Sequence, residues 1–180
     1  MKLTWFAHTA IRVHVGGQIL VADPDEAPAS VEREELLSGA DRVFSLATHT
    51  NALPLIDPAV WRRRTPVRAI DETPAETEIL VSSIGPFAVL VDAPGEPPLA
   101  LLAGSSPPAF GRWADDGVVV LFGVREALVA TATVLLDLAR PRLIALASDE
   151  ETVDLAIDEL REHLDGASLV SLEPGLALEV

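Results

Sequence analysis

An α/β fold, with α+β character, is predicted by two features of the chain. Short apolar runs of β-type composition fill the first two thirds, and the last third alternates strand, helix, strand, helix, strand. The length of 180 residues fits one domain over residues 1–180 and is enough to bury a full core.

Residues 2 to 22 hold "LTWF", the alternating run "AIRVHV" and "QILVAD", with Gly16-Gly17 as a turn signal, which is the pattern of antiparallel hairpins. "DPDEAPAS" breaks the sheet. Ser30, with Glu34 nearby, is expected to open the short acidic helix "VEREELLSG", and Gly39 to stop it. The run "RVFSLA" reads as a strand that delivers the loop "ATHTNALP".

Proline and charge dominate residues 54 to 78, where a helical turn is expected at "DPAVWRRR" and a short strand at "VRAI". "EILVSSI", "FAVLVDA" and "LALLAG" supply a second set of strands separated by Pro and Gly. Then the period changes. "VVVLFG" leads into the helix "VREALVATATVLLDLAR", "PRLIALAS" is a buried strand, "EETVDLAIDELREHL" is an amphipathic helix, and "SLVSL" with "LALEV" closes the chain.

Composition narrows the function classes. Hydrophobic residues at 49% and charged ones at 23% describe a globular chain rather than a disordered polyelectrolyte. A formal charge of −15 repels nucleic acid and anionic membrane surfaces, so neither is expected as a partner. The basic cluster Arg62 to Arg64 reads as a solvated helix end before a proline stop, with an anion grip as the alternative. Cysteine is absent, which removes disulfides, thiolate nucleophiles and thiolate ligands together. "MKLTWFAH" lacks the pattern of a signal peptide and no apolar run reaches membrane-spanning length, so a cytoplasmic location is expected.

The opening "MKLTWFAHTAIRVHVGGQILVADP" resembles that of metallo-β-lactamase-fold hydrolases, in the branch of metal-dependent hydrolases related to L-ascorbate-6-phosphate lactonase. Those proteins begin W-x-G-H-[SA]-[AC] and soon reach I-L-[IV]-D-P. "PPLALLAGSS" resembles the strand that ends in A-G-D-T, and "EALVATATVLLDLARPRLIALAS" the helix and strand that end in P-x-H. "SLVSLEPGLALEV" resembles the closing strands with their E-P-G turn, here Glu173-Pro174-Gly175. The resemblance implies a four-layer αββα sandwich with shortened loops.

It also implies a metal centre, whose ligands this chain has largely replaced. Where the family has T-H-x-H-x-D-H, the chain has Thr48-His49-Thr50-Asn51-Ala52-Leu53-Pro54, which retains only the first histidine. Ser105 stands for the bridging aspartate and Ala147 for the histidine of P-x-H, with Ala145 in place of its proline. Asn51, Leu53, Pro54, Ser105 and Ala147 thus occupy ligand positions. A divalent ion wants three or four His or carboxylate ligands, and the nucleophilic hydroxide is lost with the ion.

Three residues at the resemblance's centre remain weak catalytic candidates: His8, Asp23 and His49. His8 reads first as a hydrogen-bonded histidine at a strand end and second as a polar group in a cleft; Asp23 as a turn cap or an orienting carboxylate. Together with His49 they could act as an acid–base group, because a neighbouring carboxylate raises an imidazole pKa. His14 in an alternating strand and His163 near a helix end suggest no catalysis.

The expected function is therefore that of a noncatalytic relative, a pseudoenzyme that binds an unknown protein partner or associates with itself as a homo-oligomer, with no cofactor. The alternative is a hydrolase of lactones or phosphoesters that uses His8, Asp23 and His49, helped by Asp25, Asp57 or Asp92, with one weakly bound divalent metal such as zinc or manganese. "ATHTNALP" is expected to be a former ligand loop now engaged in packing.

Overall fold

The three N-terminal runs form an antiparallel meander of β1 (Lys2–Ala7), β2 (Ala10–Val15) and β3 (Gln18–Ala22) in a computed structural model that describes residues 1–47, 53–64 and 78–180. Gly16 and Gly17 make the two-residue β2–β3 turn with φ of 54° and 82°, the left-handed pair that a tight hairpin requires. A parallel strand, β4 (Arg42–Phe44), and the C-terminal β11 (Ala177–Glu179) complete a sheet ordered β11-β1-β2-β3-β4.

The second sheet is built from β5 (Leu80–Gly85), β6 (Ala88–Asp92), β7 (Leu99–Ala103), β8 (Val118–Phe122), β9 (Leu143–Ala147) and β10 (Ser168–Ser171), in the order β10-β9-β8-β7-β6-β5. Strands β5 to β7 pair antiparallel, whereas β7 to β10 run parallel. Two helices, α2 (Arg125–Leu138) and α3 (Glu150–Leu160), connect the parallel strands.

Side-chain alternation explains why β8 and β9 read as continuous apolar runs. Val118, Val120 and Phe122 face the first sheet with Leu3, Ile11 and Leu20, while Val119 and Leu121 face Leu128 and Leu135 of α2. A strand buried on both faces has no polar positions to alternate.

On the outer side of the first sheet lies a short helix, α1 (Arg33–Leu37). Arg12, pointing outward from β2, donates to the carbonyls of Glu35 at 3.1 Å, Leu36 at 2.8 Å and Ser38 at 2.7 Å, and so satisfies orphan carbonyls at the helix end. The layers are therefore helix, sheet, sheet, helices, the αββα sandwich expected from sequence.

Two local expectations change. Helix α1 begins at Arg33 with Glu32 in the capping position and no side-chain cap, so Ser30 does not open it. The helical turn expected at residues 57–61 is present, with the Asp57 carbonyl accepting from the amides of Val60 and Trp61, both at 3.2 Å, but it extends no further, so Arg62 to Arg64 do not end a helix. The expected strand "VRAI" lies outside the described residues. No described helix is long and apolar enough to cross a membrane.

Candidate functional site

Strand polarity brings several strand ends to one rim. The C-terminal ends of β7, β8 and β9 meet those of β1, β3 and β4 there, and between them opens a cavity of about 990 Å³. Crevices outside the carboxyl ends of parallel strands are where α/β sheets bind ligands. Ala103, Phe122 and Ala147 end the three parallel strands on the face turned toward the first sheet, and all three line the cavity.

The walls are apolar. Trp5 and Phe122 are buried, Phe87 and Val124 are 44% and 65% exposed at the mouth, and Pro174 closes one side. The rim carries charge: Asp23, Glu26, Asp149 and Glu150 bring four carboxylates, with His8 as the one basic side chain and no Lys or Arg among the described lining residues.

Each rim residue is held by identifiable bonds. His8 sits in the β1–β2 turn at φ 44°, and its carbonyl accepts from the Trp5 indole Nε1 at 3.0 Å. Its side chain is exposed toward the cavity mouth. Asp23 also adopts a left-handed conformation, φ 43° and ψ 54°, although a residue before proline ordinarily stays extended. Its amide donates to the Phe44 carbonyl at 2.9 Å and its carboxylate oxygens accept from the Leu46 amide at 3.2 and 3.3 Å, which ties the ends of β3 and β4 together.

Asp149 caps α3: its Oδ1 accepts from the Thr152 amide at 3.0 Å. Hydrogen bonding from Thr152, backbone first, holds the Asp149 carboxyl below its ordinary range, and Ser148 adds to this. Glu150 follows in the first helical turn.

Backbone strain concentrates here. Among the described residues five non-glycine positions have positive φ, and His8, Asp23 and Phe87 (φ 53°), three of the five, line this cavity. A bulky aromatic in that region is an outlier that surrounding structure must enforce, at roughly 1–3 kcal/mol per residue.

His8 and Asp23 are thus brought to one cavity; His49 and Asn51 lie outside the described residues. Leu53 and Pro54 do not line it. Leu53 is half-buried against the inter-sheet core, whereas Pro54 is exposed and its carbonyl accepts from the Ser83 amide at 2.9 Å. The packing expected of the loop holds for Leu53 and fails for Pro54, because the segment runs along β5, where Leu55 bridges to Ser83. Ser105 lies exposed beyond β7 and is not a lining residue.

The carboxylates expected to help a hydrolase are engaged elsewhere. Asp25 pairs with Arg33, Asp57 accepts from the Ala59 amide at 2.9 Å, and Asp92 is buried in an ion pair with Arg64 at 2.6 Å. Asp115, before β8, accepts from the Arg140 amide at 2.9 Å. The arginines of the basic cluster serve as staples: Arg62 donates to the Ala59 and Trp61 carbonyls, Arg63 to that of Glu96, and Arg64 to Asp92.

His14 lies away from the rim, accepts from Arg12 Nε at 3.2 Å, and has its pKa lowered by burial and then by the charges of Arg12 and Lys2. His163 is exposed in the turn after α3. Sequence reasoning missed Glu26, Asp149 and Glu150. The available signal was "ASDEE" directly after the apolar run "LIALA", a strand's carboxyl end passing into a helix start.

The family resemblance implies a metal, which would need several donors around one point. Among the described residues no group of three or more His, Asp or Glu side chains is gathered closely enough to hold an ion. Ala147 offers a methyl group at the end of β9, and the rim carboxylates are dispersed. These residues do not fit a divalent metal centre.

No protein-family model matches the sequence, and no curated protein matches it. Among solved structures, the isothiocyanate hydrolase from Delia radicum gut bacteria aligns with a TM-score of 0.56 at 14% identity, covering 100% of this chain and 99% of that one. Igni18, a metallo hydrolase from the hyperthermophilic archaeon Ignicoccus hospitalis KIN4/I, aligns with a TM-score of 0.48 at 14% identity, over 99% and 98% of the two chains. Along its full length the chain shares the fold of the isothiocyanate hydrolase, in keeping with the αββα sandwich of the metallo-β-lactamase fold.

Proposed function

We propose that this protein is a noncatalytic member of its fold group whose strand-end cavity binds a small molecule. The observation that carries this reading is the cavity itself: about 990 Å³ of apolar-walled space stays open at the strand ends, within the range of ligand sites. A cleft that had lost all use would gain core contacts by closing around Phe122, Ala147 and Trp5; this one is open and has three strained residues on its lining. The dispersed donors argue for binding without metal-assisted hydrolysis.

Two measurements test the proposal. Phenylbutanol, a neutral probe with an apolar body, is expected to bind as read by calorimetry. Ala147→Trp at the cavity floor and Val124→Trp at its exposed mouth are each expected to abolish that binding. Metal analysis of the purified protein is expected to give far less than one equivalent of zinc, manganese or iron; a near-stoichiometric ion would overturn the noncatalytic reading.

A second reading is favoured by one observation, the placement of His8 and Asp23 on the same cavity. It makes the protein a hydrolase in which an imidazole and a carboxylate act as an acid–base group with His49. Ester turnover abolished by His8→Ala and His49→Ala, with the fold unchanged, would support it, and no turnover across esters and phosphodiesters would retire it.

A further inference from the structure

We infer that the ligand of the strand-end cavity is an organic cation with an apolar body, an aryl- or alkylammonium. This rests on the binding reading above and adds the ligand's charge. Four carboxylates and no Lys or Arg stand among the described lining residues. Among the described residues no ion pair neutralises any of the four. Glu26 and Glu150 are exposed, so they cost little to keep ionised, and the chain's net charge of −15 adds to the attraction for a cation.

The form of the cation follows from the walls. A bare metal ion needs several donors converging on one point, and the described carboxylates do not converge. An ammonium group on an apolar stem needs a negative rim over an apolar floor. Trp5 and Phe122 supply buried aromatic surface below the rim, and Phe87 an aromatic ring at the mouth. Ring faces attract ammonium groups, and the stem gains from burial against Val124, Ala147 and Pro174.

The test compares three probes with one body and different charge, namely phenylbutylamine, phenylbutanol and phenylbutyrate, by calorimetry at neutral pH. The amine, protonated there, is expected to bind at least about tenfold more tightly than the alcohol, equivalent to about 1.4 kcal/mol. The carboxylate should bind more weakly than the alcohol, and the amine's advantage should shrink as salt is added.

The double variant Glu26→Gln, Glu150→Gln, which alters only exposed side chains, is expected to remove most of the amine's advantage over the alcohol. Equal affinity for amine and alcohol, or a preference for the carboxylate, would overturn the cation assignment while the cavity remains a binding site. Failure of all three probes would overturn the binding reading with it. A preference undiminished by the double variant would overturn the part of the assignment that gives Glu26 and Glu150 the charge reading, and would leave it to Asp23 and Asp149.

Discussion

Removing Arg64 should reveal what Asp92 is for. Asp92 lies on β6, its side chain 4% exposed, and accepts from Arg64 Nε at 2.6 Å. The same guanidinium donates to the carbonyls of Glu78 at 2.8 Å and Asp92 at 2.6 Å. Arg64→Met keeps the aliphatic stem, deletes all three bonds and strands a buried carboxylate. Breaking a fully buried pair from one side costs roughly 3–5 kcal/mol. Because the Arg64 side chain is 33% exposed, water can reach the vacated carboxylate, and the expected loss falls to about 2–3 kcal/mol.

Asp92→Leu should cost less, about 1 kcal/mol, since Arg64 can keep its carbonyl bonds or turn to solvent. The double variant should be more stable than Arg64→Met alone, because no buried charge remains. Urea unfolding read by far-UV circular dichroism measures all three. An Arg64→Met variant within about 0.5 kcal/mol of the parent would refute the reasoning, because it would mean that Asp92 does not depend on its partner. Neither variant should change probe binding, since both residues lie outside the strand-end cavity.

Arg12→Met should cost about 2 kcal/mol by releasing the carbonyls at the end of α1, measured by the same unfolding curves, and Arg12→Lys should recover only part of it because one ammonium cannot span three acceptors. The His14 imidazole should titrate below 6.5 by NMR. Its lowered folded pKa means the unfolded chain takes up the proton first, so this contribution is complete above the unfolded pKa and is lost as pH falls from there toward the folded value; His14→Gln should flatten that part of the stability profile. Asp149 has a lowered pKa of the opposite charge type: its contribution is present above the unfolded carboxyl value and lost as pH falls through the folded one. Asp149→Ala should weaken α3 and remove that acid dependence, whereas Asp149→Asn should keep the cap without the titration, both read by helix ellipticity against pH.

The fold was legible because its elements carry strong local signals. Gly16-Gly17 marks a hairpin whatever surrounds it, and the apolar positions of α3, Val153, Ala156 and Leu160, recur at helical spacing. The all-apolar runs at β8 and β9 state burial on both faces. Ser30 misled because capping depends on where the chain turns into the helix, and here Glu32 holds that position with no side-chain cap. The cavity rim was legible only in part. His8 and Asp23 were found through a resemblance, whereas Glu26, Asp149 and Glu150 look in sequence like solvated acids near a helix start or a proline. Only the sheet topology, which brings β3 and β9 to the same end, turns them toward one space.

The floor and the rim of the cavity differ in character. The floor is apolar, with Ala147 ending β9 beside Phe122 and Trp5. The rim is negative, and among the described residues its charge is carried by side chains that do not gather around a single ion. Asp23, strained and placed before Pro24, is held by two backbone partners: its amide donates to the Phe44 carbonyl and its carboxylate accepts from the Leu46 amide. On the cation reading, an apolar-walled cavity uses a negative rim to select a cation and turn away an anion.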